Sequence, residues 1–296
     1  MNETQLGILL RVISGVLFAA MMATVKALED GAALGQVVFF RSAVAMVPLL
    51  IFLWLRNEFP AGLATRRPLG HLKRCVFGAT AMFTSFAALA FLPIAEAAML
   101  TYLSPVMVVA LAAVLLGEHV TARRWWGVLA GLSGVMVLTV PAFGEGESAL
   151  IGIALGIATA AFTAGALIQV RALALSESPG AIAFYFALFC TLAGLATWPL
   201  GWPSPDGVTL VLLILSGLFG GTAHIAMTLS FRYTEASVLA PFEYLSILWA
   251  AIFGLALFSE TPALTFVIAA PLVIAGAILA STPGAVAKKN GRLKRI

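Results

Sequence analysis

Charge is the scarcest commodity in this sequence. Only 10% of its 296 residues are Asp, Glu, Lys or Arg, where a water-soluble domain carries about 25%. A chain so poor in charge, 61% hydrophobic and with a mean hydropathy of +1.05, is an integral membrane protein by composition. Aspartate is nearly absent. Asp30 and Asp206 are the only two, and both fall in breaks between apolar runs, which argues against an intramembrane aspartyl protease. No lysine follows a glycine anywhere, so no GxxxxGK[ST] loop is present to cradle a nucleotide's phosphates. HExxH and GxSxG are missing as well. The two cysteines, Cys75 and Cys190, lie in apolar runs and make neither a metal-ligand spacing nor a disulfide framework. The expectation is a protein that is not an enzyme and uses no cofactor or metal. The basic C-terminal stretch "KKNGRLKRI" has no interleaved aromatics, so nucleic acid is not expected as a partner. The start, "MNETQLGILL", has an acid where a signal peptide is basic, and reads as a retained helix.

What is abundant is the apolar run of about 17–23 residues, long enough to cross a bilayer as a helix. Ten are predicted, near 6–28, 34–55, 74–92, 96–116, 124–141, 150–170, 181–199, 210–230, 237–258 and 264–281. Polar or turn-rich breaks separate them, among them "EDGA", "GEHVTARR", "LSESPG" and "SETP". Alternate breaks hold the cations. With the N-terminus inside, Arg56, Arg66, Arg67, Lys73, Arg74, Arg123, Arg124, Arg171, Arg232 and the basic tail fall on the cytoplasmic side, and only Lys26 falls outside. That is the positive-inside pattern, with both termini cytoplasmic.

The two halves of the chain echo each other. Residues 78–118 lie over 220–260 without a gap, at an offset of 142. Gly78, Thr80 and Ala81 match Gly220, Thr222 and Ala223; Tyr102–Ser104 matches Tyr244–Ser246; Glu118 meets Glu260, and Gly134 meets Gly276. Further upstream the offset is 145. There "VKAL" (25–28) meets "VRAL" (170–173), and Phe39-Phe40 meets Phe184-Tyr185. A repeat of five spans is an odd number, so the second half enters the membrane from the opposite side. The predicted organisation is an all-α membrane protein of two inverted five-helix repeats, 1–144 and 145–284, followed by a basic tail, 285–296.

"FFRSAVAMVPLL" in span 2, "LSPVMVVALAAVLLGE" closing span 4 and its echo "LWAAIFGLALFSE" closing span 9 resemble the drug/metabolite transporter superfamily, EamA family, over almost the whole chain. The resemblance implies a secondary transporter of small polar metabolites, often an exporter of amino acids or related compounds. Members commonly carry a Trp-Gly pair in span 1, where this chain has Phe18-Ala19. "APFEY" looks like a subgroup linked to amino acids, riboflavin or S-adenosylmethionine. The resemblance also implies a central cavity walled by spans 3, 4, 8 and 9, with parts of 1, 2, 6 and 7.

The residues to watch are the polar ones at membrane depth. Glu243 lies about 10 Å into span 9 at 1.5 Å per residue, two residues after Pro241, which loosens the helix there. A carboxylate in hydrocarbon is costly enough to suggest a working group. The plain alternative is a first-turn proline with Glu243 snorkelling to the cytoplasm. His224, at similar depth across the turn between spans 8 and 9, can share a proton with it. The counterparts of His224 and Glu243 in the first repeat are Met82 and Thr101, so the titratable pair belongs to one repeat only. Arg41 can meet a substrate carboxylate or phosphate through its two-pronged guanidinium, or hold a permanent internal partner. Tyr102 and Tyr244, with Trp249, Phe242 and Phe83, can line an aromatic-walled site or simply pack. Lys26 and Arg171 read as helix-end anchors. Thr80, Thr84, Thr159 and Thr163 are expected to bond their own backbone. "GVLAG" and "GIALG" are close-packing faces.

The sequence thus predicts a multi-pass protein of a bacterial cytoplasmic membrane. It moves a small polar organic solute by alternating access, outward, with protons as a second partner through Glu243 and His224. A passive facilitator, a transporter of riboflavin, S-adenosylmethionine or a nucleotide-like metabolite, and a non-transporting scaffold are the rivals. Substrate, direction and oligomeric state are left open.

Overall fold

A computed structural model describes residues 2–28, 31–104, 106–108, 122–145, 147–174, 176–233, 242 and 245–281. Among them the regular structure is helical: α1 (Glu3–Lys26), α2 (Leu34–Leu55), α3 (Pro68–Ala88), α4 (Ile94–Thr101), α5 (Ala122–Glu145), α6 (Glu147–Ala174), α7 (Pro179–Leu195), α8 (Gly207–Tyr233), α9 (Leu245–Phe258) and α10 (Leu264–Ser281), with two short 3-10 turns. Five of these helices, α1, α2, α6, α7 and α8, are long and apolar enough to cross a membrane on their own. Apolar residues lie all round them rather than on one stripe, as expected where lipid replaces water.

Local chemistry sets several boundaries. Asn2 caps α1 in a reciprocal box with Gln5, satisfying two orphan amides of the first turn. Ser178 caps α7 with Pro179 behind it, and Asp206 accepts from the Thr209 amide at 2.7 Å to open α8. The third predicted span is corrected at its start. Pro68 takes the first helical position, where its missing N–H is harmless, so "GHLKR" forms the opening turns of α3 rather than a loop. The "LPIAE" break is a turn that ends at Pro93, the N-cap of α4.

The packing is laid out in matched pairs. α1 lies against α8 as α6 lies against α3; α2 touches α8 as α7 touches α3; α1 meets α9 as α6 meets α4. The remaining main contacts, α2 with α7, α4 with α9 and α5 with α10, pair each helix with its own counterpart five positions on. Exchanging the two halves of the chain therefore reproduces these main contacts, whereas the α5–α6 contact at the junction of the halves has no such counterpart. The α5–α10 contact is a close backbone approach. A Cβ on Gly276 would lie 2.5 Å from the Gly131 amide nitrogen and 2.7 Å from the Gly127 carbonyl. Only hydrogen fits between backbones at that distance, which is why "GVLAG" reads as a packing face.

Candidate functional site

Arg41 projects from the first half of α2 and is 5% exposed. Its Nη2 lies 3.3 Å from Nε2 of His224 on α8. A guanidinium has donors only, so Nε2 accepts, and the ring is neutral with its proton on Nδ1. The ring also stands edge-on to Phe18 of α1, 5.0 Å between centroids. Phe18, with Ala19, stands where members of the resembled family commonly carry a Trp-Gly pair. The Nε of Arg41 is buried with no hydrogen-bond partner. Room for the guanidinium comes from Gly220, where a Cβ would sit 3.2 Å from Nε.

A second arginine occupies an equivalent setting that the sequence reading missed. Arg74 counted there among the cytoplasmic loop cations; it is instead in the second turn of α3. Its guanidinium carbon lies over the Phe186 ring of α7, 3.9 Å from the centroid, and its Nε and Nη1 are buried without an acceptor. A Cβ on Gly78 would fall 2.1 Å from Nη1. Gly78 and Gly220 are repeat partners, and Phe186 stands where Arg41 does once the 145-residue offset is applied. That spacing was the signal available in the sequence. The thiol of Cys190, one turn beyond Phe186, lies within electrostatic reach of both guanidiniums.

The other expected residues divide. Tyr102 hydroxyl and Ser246 Oγ are hydrogen-bonded, joining α4 to α9. Trp249 packs its ring beside Gly15 of α1, and its Nε1 is buried without a partner. Thr101 donates to the Ala97 carbonyl of its own helix, as Thr80 and Thr84 do to theirs. Thr159 also donates to Thr84 Oγ1 at 2.8 Å, linking α6 to α3. Phe83 and Phe242 are half-buried. Glu243, Tyr244 and Pro241 lie outside the described residues, as do Glu118 and the side chain of Arg171. The described partner of His224 is thus Arg41, and the Glu243–His224 pairing is left as an expectation.

Lys26 is not the bland anchor its position suggested. Its Nζ pairs with Glu260 at 2.7 Å and donates to the carbonyls of Leu89 at 3.2 Å and Leu92 at 2.9 Å. Glu260 in turn accepts from the Ile94 amide at 2.9 Å. One ammonium thus ties together the end of α1, the α3–α4 turn and the end of α9. An apolar-walled cleft of about 230 Å³ lies beside it, lined by Val25, Leu28, Val37, Phe86 and Leu89 among others. At the opposite end, the segment after α2 is strapped to the α6–α7 turn. Glu177 accepts from the Arg66 amide at 3.0 Å and stands 3.3 Å from His71 Nε2; Arg67 donates to the Ala172 carbonyl. Burial pushes the Glu177 carboxyl upward. The hydrogen bonds from Arg66, His71 and Thr65, with the His71 charge, outweigh that and hold it below the usual carboxylate range. Among the described residues no group of His, Cys, Asp and Glu side chains has the makings of a metal site.

Comparison with known proteins fits this architecture. The model of the EamA-like transporter family matches twice, over residues 5–140 and 150–282. A pseudopaline exporter of Pseudomonas aeruginosa is 31% identical over 286 residues, covering 93% of this chain and 96% of that one. A riboflavin transporter of Rhizobium johnstonii is 28% identical over 291 residues, covering 94% of each. An S-adenosylmethionine uptake transporter of Rickettsia felis is 26% identical and covers 77% of this chain and 76% of that one. A protein of known crystal structure superposes with a TM-score of 0.63 at 21% identity, covering 93% of this chain and 96% of the other; at that identity the likeness concerns the fold.

Proposed function

This chain belongs to the EamA-like transporter family, a multi-pass protein of the inner membrane, and from that premise we propose how it works. It is a ten-span secondary transporter with both termini cytoplasmic, built from two inverted repeats, 1–144 and 145–284, with the tail 285–296 inside. It moves small polar metabolites, amino acids or related compounds, outward by alternating access. The observation that carries this reading is the exchange symmetry of the packing, in which each main contact of one half recurs in the other. Two halves of like structure and opposite orientation can each close one side of a midplane site. Closure of the outer side falls to Lys26 and Glu260, which draw α1, α3, α4 and α9 together. Arg41, His224, Tyr102, Trp249 and Thr101 are assigned to the solute, and the sequence adds Tyr244 and Glu243 to that assignment.

Proton coupling is assigned to Glu243 and His224. His224 accepts a hydrogen bond from Arg41, so the imidazole takes up a proton only after it parts from the guanidinium. The test is transport by purified protein in liposomes, with and without a pH gradient. Accumulation that follows the gradient, and is lost in Glu243→Gln, is the expected result. A rate and an end-point indifferent to the gradient would leave a passive facilitator. A second reading, movement of riboflavin or S-adenosylmethionine, draws on the relatives at 28% and 26% identity; competition between those compounds and labelled amino acids decides between the two.

A further inference from the structure

Among the described residues three cations drawn into the helix packing invite comparison, Arg41 buried and Lys26 and Arg74 half-buried. Lys26 has its carboxylate and two carbonyls. Arg41 has an imidazole nitrogen, and its Nε has nothing. Arg74 has the face of a phenyl ring, and its Nε and Nη1 have nothing. Lys26, Arg56 and His71 each stand against a carboxylate, of Glu260, Glu58 and Glu177, and neither Arg41 nor Arg74 has one among the described residues. A buried guanidinium keeps its charge at any working pH, and leaving one without an anion or a full set of acceptors is expensive. A fold that needed these cations only for packing would give them partners, as it does for Lys26.

Their placement is related by the internal repeat. At one interface, α2 on α8, position 41 enters the notch of Gly220 and is arginine. At the equivalent interface, α7 on α3, position 186 meets Gly78 and is phenylalanine, while the arginine comes from α3, one turn before the glycine. The residue one turn before Gly220 is Ser216. Each interface thus carries one guanidinium, supplied from opposite members of the pair, with the Cys190 thiol in electrostatic reach of both. At 1.5 Å per residue, Arg41 is about 10 Å from one end of α2 and Arg74 about 9 Å from the start of α3. On the proposed topology those are opposite membrane surfaces, so the two cations approach the midplane from the two sides.

We propose that Arg41 and Arg74 together form a two-guanidinium site for the oxyanion groups of the solute, which is therefore an organic anion bearing carboxylate or phosphate. Each planar fork can take an oxyanion through paired N–H donors, and the three orphan nitrogens are the donors left for it. The proposal rests on the transporter reading for its biological sense, but its test does not use transport. The purified full-length chain in detergent is unfolded thermally with glutarate, inorganic phosphate, or the neutral glutaramide, at ionic strength matched with chloride. Glutarate or phosphate raises the midpoint, whichever responds naming the source of the oxyanion, and glutaramide does not. Arg41→Gln and Arg74→Gln each weaken that response about ten- to hundredfold. Arg74→Lys, which keeps the charge but loses the fork, falls in between and guards against a variant that fails to fold. Arg56→Gln, at the exposed end of α2, leaves the response intact. The proposal is overturned if glutaramide matches glutarate, if no oxyanion stabilises the wild type beyond chloride, or if Arg74→Gln responds as the wild type does. Oxyanion binding without transport would sink only the transporter reading; transport with no oxyanion response would sink only this one.

Discussion

Glu260→Gln is the sharpest perturbation of the proposed outer closure. The pair it breaks is 2.7 Å long, with side chains 14% and 16% exposed, so it is neither a solvated surface pair nor fully dry. Surface pairs contribute about 0–1 kcal/mol, and removing one partner of a buried pair costs about 3–5 kcal/mol. A loss of about 2–4 kcal/mol is the reasonable interpolation. If the Lys26 bridge acts only while this end is closed, the closed state is disfavoured by about 30- to 700-fold. The readout is a thiol placed at Leu28, which is 1% exposed beside the bridge. Leu28→Cys is made with Cys75→Ala and Cys190→Ala and labelled from outside intact cells with a membrane-impermeant maleimide. The labelling rate should rise at least tenfold on adding Glu260→Gln. Lys26→Met should act alike, and the two together should be far from additive. The pair Lys26→Met with Glu260→Leu restores an apolar contact without a lone charge and should bring the rate back down. A rate within twofold of the parent in Glu260→Gln would mean that the bridge does not hold this end shut.

Other expectations follow from the same geometry. Gly276→Ala drives a methyl into the Gly131 and Gly127 backbone and should lower stability by at least about 1–3 kcal/mol, whereas Gly207→Ala, with open space around it, should leave the melting midpoint unchanged. Arg41→Gln and Arg74→Gln remove buried charges that lack an anion among the described residues, so the ligand-free melting midpoint should hold or rise while transport is lost; a fall of several degrees would mean that the charges are structurally paired. Glu177 has its carboxyl held low, so its strap is intact above the carboxylate's ordinary range and is lost as pH falls through the depressed folded value. Limited pepsin digestion should therefore open the 57–66 segment only in acid below that range, and Glu177→Gln should expose Arg66 and Arg67 to trypsin at pH 7.

Much of the fold was legible because a bilayer simplifies the code. Long apolar runs must become helices when no water is present to satisfy the backbone, and the gapless match from 78–118 to 220–260 announced a duplication. The matched contacts of α1–α8 with α6–α3, and of α1–α9 with α6–α4, give that duplication a spatial form. Side-chain partners were less legible. His224 was read against Glu243, its neighbour across a turn, but its described partner stands on α2, 183 residues earlier in the chain. Spacing along a hairpin reports depth; it does not report which face a helix turns to a third helix. Lys26 suffered the same way, since its partner Glu260 is brought to it only by the packing of α9 on α1.

Arg74 shows a further limit, and the reason is physical. The positive-inside rule sorts cations by side, and a cation near a predicted helix end is counted as a loop residue whatever it does. Pro68 moves the helix start six residues upstream of Arg74, and the side chain that seemed to face water is folded onto Phe186 instead. Once it is inside, the repeat becomes informative in a new way. The equivalent glycines, Gly78 and Gly220, are common to both halves, so the notch belongs to the duplicated frame. The cations that fill it come from different helices, so the charge does not. A frame shared by both halves suits what both must do, which is close. Groups that break the symmetry suit what happens once, between the halves, and there the two guanidiniums stand with donors unspent.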